Sequence, residues 1–205
     1  MKKNEQDRLQ RRKTYAFLTI IGLATIIFII VILAMIVKSV KFKSYNDITR
    51  KNLTILGQEM FSLQEGDYYI FIYSSNHDNK KINMEKQDAL EPYIANYFTF
   101  VKQNKRKNGV CEMRLLDIEE SKNQRCLSTY TTSSASYWSE FYVDEASLPM
   151  LVYLTVSTAG NNQYNYSYEI YPKESDIKSK LSTSISSVVN VAYIPTKKES
   201  SIANT

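Results

Sequence analysis

Tyr68-Tyr-Ile-Phe-Ile-Tyr73 is an unbroken run of apolar and aromatic residues. It has the length of a strand, and no polar residue interrupts it. It therefore reads as a strand covered on both faces, which belongs in the interior of a sheet. The flanking stretches supply its neighbours. Downstream, 84–102 carries Leu90, Tyr93, Ile94, Tyr97, Phe98 and Val101 at three- and four-residue spacing, the pattern of a helix with one apolar face. Pro92 inside it predicts a kink or a helix start. Asn108-Gly109 closes that unit. A second strand is expected over 110–118 and a short helix over 124–130. A Ser/Thr-rich insertion, 131–139, carries the only tryptophan, Trp138. Met150-Leu-Val-Tyr-Leu-Thr-Val156 reads as a third strand, and Ala159-Gly-Asn-Asn162 as a turn. Tyr164, Tyr166, Tyr168 and Ile170 alternate with Asn165, Ser167 and Glu169, which predicts a fourth strand with one wet face, antiparallel to its predecessor. A last helix over 175–190 puts Ile177, Leu181, Ile185 and Val188 on one side. The order β-α-β-α-β-β-α describes an α/β fold in which helices sandwich a mixed sheet.

Upstream lies a segment of a different kind. Residues 14–37 contain no charge, eight of the 24 are Ile, and Lys13 and Lys38 close the two ends. As a helix the segment runs about 36 Å, against a hydrocarbon core of about 30 Å. A cleaved signal has an apolar stretch of only about 7–15 residues and a small-x-small exit. Here the exit reads Ala34-Met35-Ile36-Val37-Lys38, so an uncleaved single-pass anchor is expected. Six Lys/Arg precede the span, and Lys38, Lys41, Lys43, Arg50 and Lys51 follow it. The short basic tail before the first span stays inside, which puts the C-terminal domain outside.

Composition bounds the rest. The apolar fraction of 43% and charged fraction of 23% are those of a globular chain. The formal charge of +5 is unevenly spread: residues 1–43 hold nine Lys/Arg against two acids, and 44–205 hold 17 against 19. The outer part is slightly acidic, so a nucleic-acid partner is not expected. Lys, Asn, Ile and Tyr make up 70 of 205 residues, a skew that fits an AT-rich bacterial genome.

The element order resembles the thioredoxin fold, and particular stretches carry the resemblance over about 66–183. Tyr69-Ile-Phe-Ile-Tyr-Ser-Ser75 resembles the strand that leads into that family's active-site loop. Arg114-Leu-Leu-Asp-Ile118 resembles the next strand. Ser147-Leu-Pro-Met-Leu-Val-Tyr-Leu154 resembles the strand that begins at a cis proline, with Pro149 as that proline. Asp176-Ile-Lys-Ser-Lys-Leu181 resembles the closing helix. The resemblance implies a thioredoxin-like three-layer sandwich, tethered to the membrane as in Gram-positive relatives. The expected organisation is a cytoplasmic basic tail (1–13), a transmembrane helix (14–37), a stalk and first helix (38–66), the thioredoxin-like domain (67–190) and a disordered tail (191–205).

The chain departs from the family at its chemistry. Thiol–disulfide exchange needs Cys-x-x-Cys at the start of the first crossover helix. Counted from the strand, which anchors the favoured register, those positions are His77-Asp78-Asn79-Lys80. Counted back from Pro92, they are Met84-Glu85-Lys86-Gln87. Neither register holds a cysteine. The only two, Cys111 and Cys126, read either as a disulfide of an oxidising exterior or as two buried small hydrophobes. His77, placed at a helix N-terminus in the first register, would be held neutral by the helix dipole. With Asp78 it supplies too few ligands for zinc, and no metal or cofactor is expected. Pro149 and its predecessor Leu148 would leave backbone free to pair with an extended peptide, as the resemblance implies. The tyrosine stripe Tyr164, Tyr166, Tyr168 reads as interface or core. Asp117, Glu119 and Glu120 read as a solvated strand end rather than an acid–base set.

The expectation is a redox-inactive, non-enzymatic adaptor on the outer face of a bacterial cell membrane. Its peptide-binding residues are His77, Asp78, Leu148 and Pro149, its bilayer contact is 14–37, and its partner is another envelope or secreted protein. Two alternatives stand beside it. One is a thiol–disulfide oxidoreductase or disulfide-handling protein using Cys111 and Cys126. The other is a cystatin-like antiparallel sheet wrapped on one helix.

Overall fold

The computed structural model describes residues 2–39, 41–105, 107–159 and 163–189. The chain divides into two compact units, Met1–Val40 and Lys41–Thr205. The first is one helix, α1 (Lys2–Ser39). Within it Tyr15–Met35 is long and apolar enough to cross a membrane. Its 21 residues rise about 31 Å. Its two threonine hydroxyls, at Thr19 and Thr25, donate back to Tyr15 O at 2.8 Å and Ile21 O at 2.9 Å, so neither needs water.

The second unit opens with two short helices, α2 (Tyr45–Thr49) and α3 (Gly57–Met60). Strand β1 (Gly66–Tyr73) leads to α4 (Met84–Asn104), then β2 (Glu112–Asp117). A tight 124–126 turn precedes two-residue strands β3 (Leu127–Ser128) and β4 (Val143–Asp144), which pair with each other. The long strands β5 (Met150–Ala159) and β6 (Gln163–Tyr171) and the helix α5 (Glu174–Val189) complete it.

The main sheet has the order β2-β1-β5-β6. β1 runs parallel to β2 and antiparallel to β5, with Phe71 opposite both Leu115 and Leu151. β6 runs antiparallel to β5, with Leu154 opposite Tyr168. The mixed sheet with a parallel pair is not the all-antiparallel sheet of the cystatin-like alternative. Strand alternation sends Tyr69, Phe71 and Tyr73 to one face and Ile70 and Ile72 to the other. The first face is covered by α2, α4 and α5: Ile48, Leu90, Ile94, Ile177 and Leu181 are all buried there. The second is covered by α3 and the 118–148 segment through Met60, Phe141, Val143 and Leu148. Both faces of β1 are therefore dry, which is why its sequence has no polar alternation.

Three expectations are corrected. Of the stalk and first helix expected over 38–66, the chain from Phe42 onward is folded into the domain, as two short helices rather than one. Tyr45 stacks on Phe71 and Tyr73 at 5.8 and 5.1 Å, and Leu53 and Ile55 bond Leu115 at 3.0 and 2.8 Å, extending the β2 edge. The short helix expected over 124–130 is a single tight turn and a strand, because Thr129, Thr131 and Thr132 are β-branched and no apolar face recurs. The helix containing Pro92 is continuous and starts at Met84, because the Asn83 side chain accepts from Lys86 N at 2.9 Å and fixes the first turn. Gly109 ends that unit with φ +83°, a conformation that favours glycine. Of the expected 159–162 turn, 160–162 lie outside the described residues, as do Asn190 and the 191–205 tail.

Candidate functional site

The C-terminal ends of the parallel strands β1 and β2 open toward the 74–83 loop, which leads into α4. Ser74 is fully buried and held by Gln87, also fully buried on α4. Ser74 N donates to Gln87 Oε1 at 3.0 Å, and Gln87 Nε2 donates to Ser74 O at 2.8 Å. The side-chain amide thus stands in for a neighbouring strand, and the buried backbone is satisfied where the sheet ends. Ser74 Oγ donates to Glu119 Oε1, the oxygen that also accepts from Asn79 Nδ2 at 3.1 Å. Asp117 Oδ1 accepts from Ser75 N at 3.0 Å and Glu119 N at 3.1 Å. The carboxylates at the strand end are therefore loop anchors.

Beyond these anchors the loop forms an open depression of about 590 Å³ lined by His77, Asp78, Asn79, Lys80, Ile82 and Met84. His77 and Asp78 are exposed in a turn. His77 stands well upstream of the first residue of α4, so the expected influence of a helix terminus on it does not apply. Met84-Glu85-Lys86-Gln87 forms the first helical turn instead. Of the two registers for the missing Cys-x-x-Cys, the one counted back from Pro92 therefore falls at the helix start.

Leu148 and Pro149 are close in the fold but not on the surface. The Leu148–Pro149 bond is cis, and both residues are buried. Leu148 N already donates to Glu145 O at 3.2 Å. The structure thus leaves His77 and Asp78 exposed and buries Leu148 and Pro149, whose one backbone donor, Leu148 N, is already taken. Lys86 is half-buried. Its Nζ donates to Ser147 O at 2.9 Å and Pro172 O at 2.5 Å, joining the start of α4 to the entry of β5 and the exit of β6. Burial pushes this ammonium down to about 8, with Glu174 pulling it back up.

Cys111 and Cys126 are free and buried. Cys111 packs in the cluster under α4 and α5, and Cys126 in the cluster under α3 and 118–148. They lie on opposite faces of the sheet, so no disulfide joins them. Burial pushes the Cys111 thiol up to about 11, with Asp67 adding to it, and the Cys126 thiol up to about 12. Neither is a ready thiolate at neutral pH.

The tyrosine stripe is mostly core. Tyr166 OH donates to Phe61 O at 2.7 Å, and Tyr168 OH to Thr132 O at 3.3 Å. Their rings meet Phe61 and Phe141 edge-on at 5.3 and 5.4 Å, while Tyr164 stays exposed. Among the described residues no group of three or more His, Cys, Asp and Glu could hold a metal ion.

Ser74, Lys86 and Gln87 were not singled out from the sequence as site residues. Gln87 carried a signal: it is a polar residue three before Leu90 and seven before Ile94, on the stripe that faces the sheet. Comparisons with protein-family models, with curated proteins and with solved structures returned no match.

Proposed function

We propose that this chain is a membrane-tethered, redox-inactive binding module of thioredoxin-like architecture. It acts on the outer face of a bacterial cell membrane and contacts an extended segment of another envelope or secreted protein. The sheet order, the parallel β1–β2 pair with α4 as its crossover and the antiparallel β5–β6 pair followed by α5 support the architecture. The length and apolar character of Tyr15–Met35 support the tether, and the basic tail before it supports an inside N-terminus.

One observation carries the reading of function. At the start of the crossover helix, where this architecture would carry its reactive sulfur, Lys86 is a strut between two carbonyls and Gln87 clamps the end of β1. Both side chains serve structure, and neither is a nucleophile toward a disulfide. The redox alternative would draw on Cys111 and Cys126, whose burial on opposite sheet faces gives it no support. What is open to a partner is the rim at His77 and Asp78 with Ile82 and Met84 behind it. It combines polar and apolar groups, as a peptide-contacting surface needs.

Photo-cross-linking in the source cell tests this. A cross-linker in place of Asp78 is expected to give a discrete protein adduct. One in place of Thr183, exposed on α5, is expected to give none. Equal adducts from the two positions, or none from Asp78, would remove the rim as a contact site. Disulfide-reductase activity that disappears with Cys111→Ala or Cys126→Ala would overturn the redox-inactive assignment.

A further inference from the structure

A second depression lies on the other side of the domain, wholly within the second unit. It sits beside the β2 edge, under the C-terminal end of α4, and has a volume of about 260 Å³. Its floor is apolar: Phe42, Leu53, Phe98, Val101 and Met113. Its rim is cationic: Lys51, Lys102, Lys105 and Arg114. The one acid there, Glu112, is already taken by Lys105 at 3.6 Å and Arg114 at 3.2 Å. Lys51 and Lys102 form no ion pair among the described residues, and Lys102 Nζ stands 5.5 Å over the Phe42 ring. Four cations around one acid is a local excess in a region, 44–205, that holds 17 Lys/Arg against 19 acids.

The chain limits what reaches this place. Phe42, on the pocket wall, follows Val37 at the end of the apolar span by five residues. That is at most about 18 Å of chain at full extension. Lys38, Lys41 and Lys43 lie in or beside the same short connection and add to the positive charge.

We infer that this pocket docks the domain on anionic lipid of the bilayer that holds α1. The cations take the phosphate, and the apolar floor takes the adjoining part of an acyl chain. An apolar floor inside a cationic rim matches an anionic amphiphile, which presents both features in one molecule. An acidic protein segment would use the rim and leave the floor exposed. The inference rests on the tether proposed above. Docking would fix which side of the domain faces the membrane, leaving the His77 rim, at the far end of β1 from this pocket's Glu112 and Met113 wall, free for a partner.

The test uses the full chain in nanodiscs of phosphatidylcholine, with and without phosphatidylglycerol. With phosphatidylglycerol, the Met113 methyl resonance is expected to shift and amide exchange at 101–105 to slow. Both effects should weaken with added salt. Lys51→Gln with Lys102→Gln should lower the docked-to-free ratio about 25-fold, at roughly fivefold per lysine charge removed. The Met150 methyl, buried on the opposite face of the sheet, should stay in place and report an intact fold. A Met113 resonance indifferent to phosphatidylglycerol overturns the docking. So does one that answers only to added polyglutamate, which would assign the pocket to an acidic protein. A chain that fails to co-elute with the discs overturns the tether and the docking together, whereas co-elution with a silent Met113 overturns the docking alone.

Discussion

At the scale of single residues, the polar groups buried in this domain close off backbone that the sheet leaves unpaired. Gln87 does this for Ser74. Asn123 does it where α3 meets the β2 exit, accepting from Gly57 N and donating to Asp117 O, both at 2.8 Å. Lys86 does it for Ser147 and Pro172. Removing such a group costs more than its own bonds contribute, because the partners are left buried without water. Gln87→Leu keeps the volume and strands the Ser74 N–H and C=O. It should destabilise the domain by about 3 kcal/mol, read as a lower urea midpoint. An unchanged midpoint would mean that the loop relaxes and that Gln87 is no clamp. The same side chains, those nearest the helix start, are already committed to the fold.

At the scale of elements, the 118–148 segment decides the second face of the sheet. It has almost no regular structure, yet Phe141, Val143 and Leu148 are fully buried in it. Trp138 joins it to α3: the indole stacks on Phe141 with centroids 5.8 Å apart and lies directly over Gly57, where any Cβ would collide with the ring. Gly57→Ala should therefore expel the indole. Because Trp138 is the only tryptophan, the expected result is a red-shifted emission and faster iodide quenching in an otherwise folded domain. Unchanged emission would contradict the packing of α3 beneath this residue. The strands and the two long helices were legible because each has a sustained period or an unbroken apolar run. Residues 41–63 were not, since their core residues Phe42, Tyr45, Ile48, Ile55 and Met60 come singly between turns. The period there is weak: it suggested one helix packed on the domain, whereas the residues are buried through two short helices and the 53–55 pairing with Leu115. Pro92 misled for a related reason. A local breaker suggested a boundary that Asn83 sets nine residues earlier, where its side chain caps α4.

At the scale of the whole molecule, one helix fit to span a bilayer precedes a mixed α/β domain with a hydrophobic cluster on each face of its sheet. The sheet is the partition between them, and it explains why the site was only half legible. Spacing along the chain left Cys111 and Cys126 as either a disulfide or two buried small hydrophobes, because it carries no information about which sheet face a residue takes. The same holds for Pro149: its position at the head of a strand was readable, its burial was not. The exposed rim at His77 and Asp78 was readable because polar residues at the exit of a buried strand have nowhere to go but the surface. The central claim is that both cysteines are walled away, one under each face of the sheet, out of reach of disulfide exchange. Thiol titration of the full chain with an aromatic disulfide at pH 8 tests it most directly. The account predicts no reaction in the native protein and two thiols on unfolding. A thiol that reacts promptly in the native state, or a Cys111–Cys126 disulfide found in the protein as isolated, would contradict it.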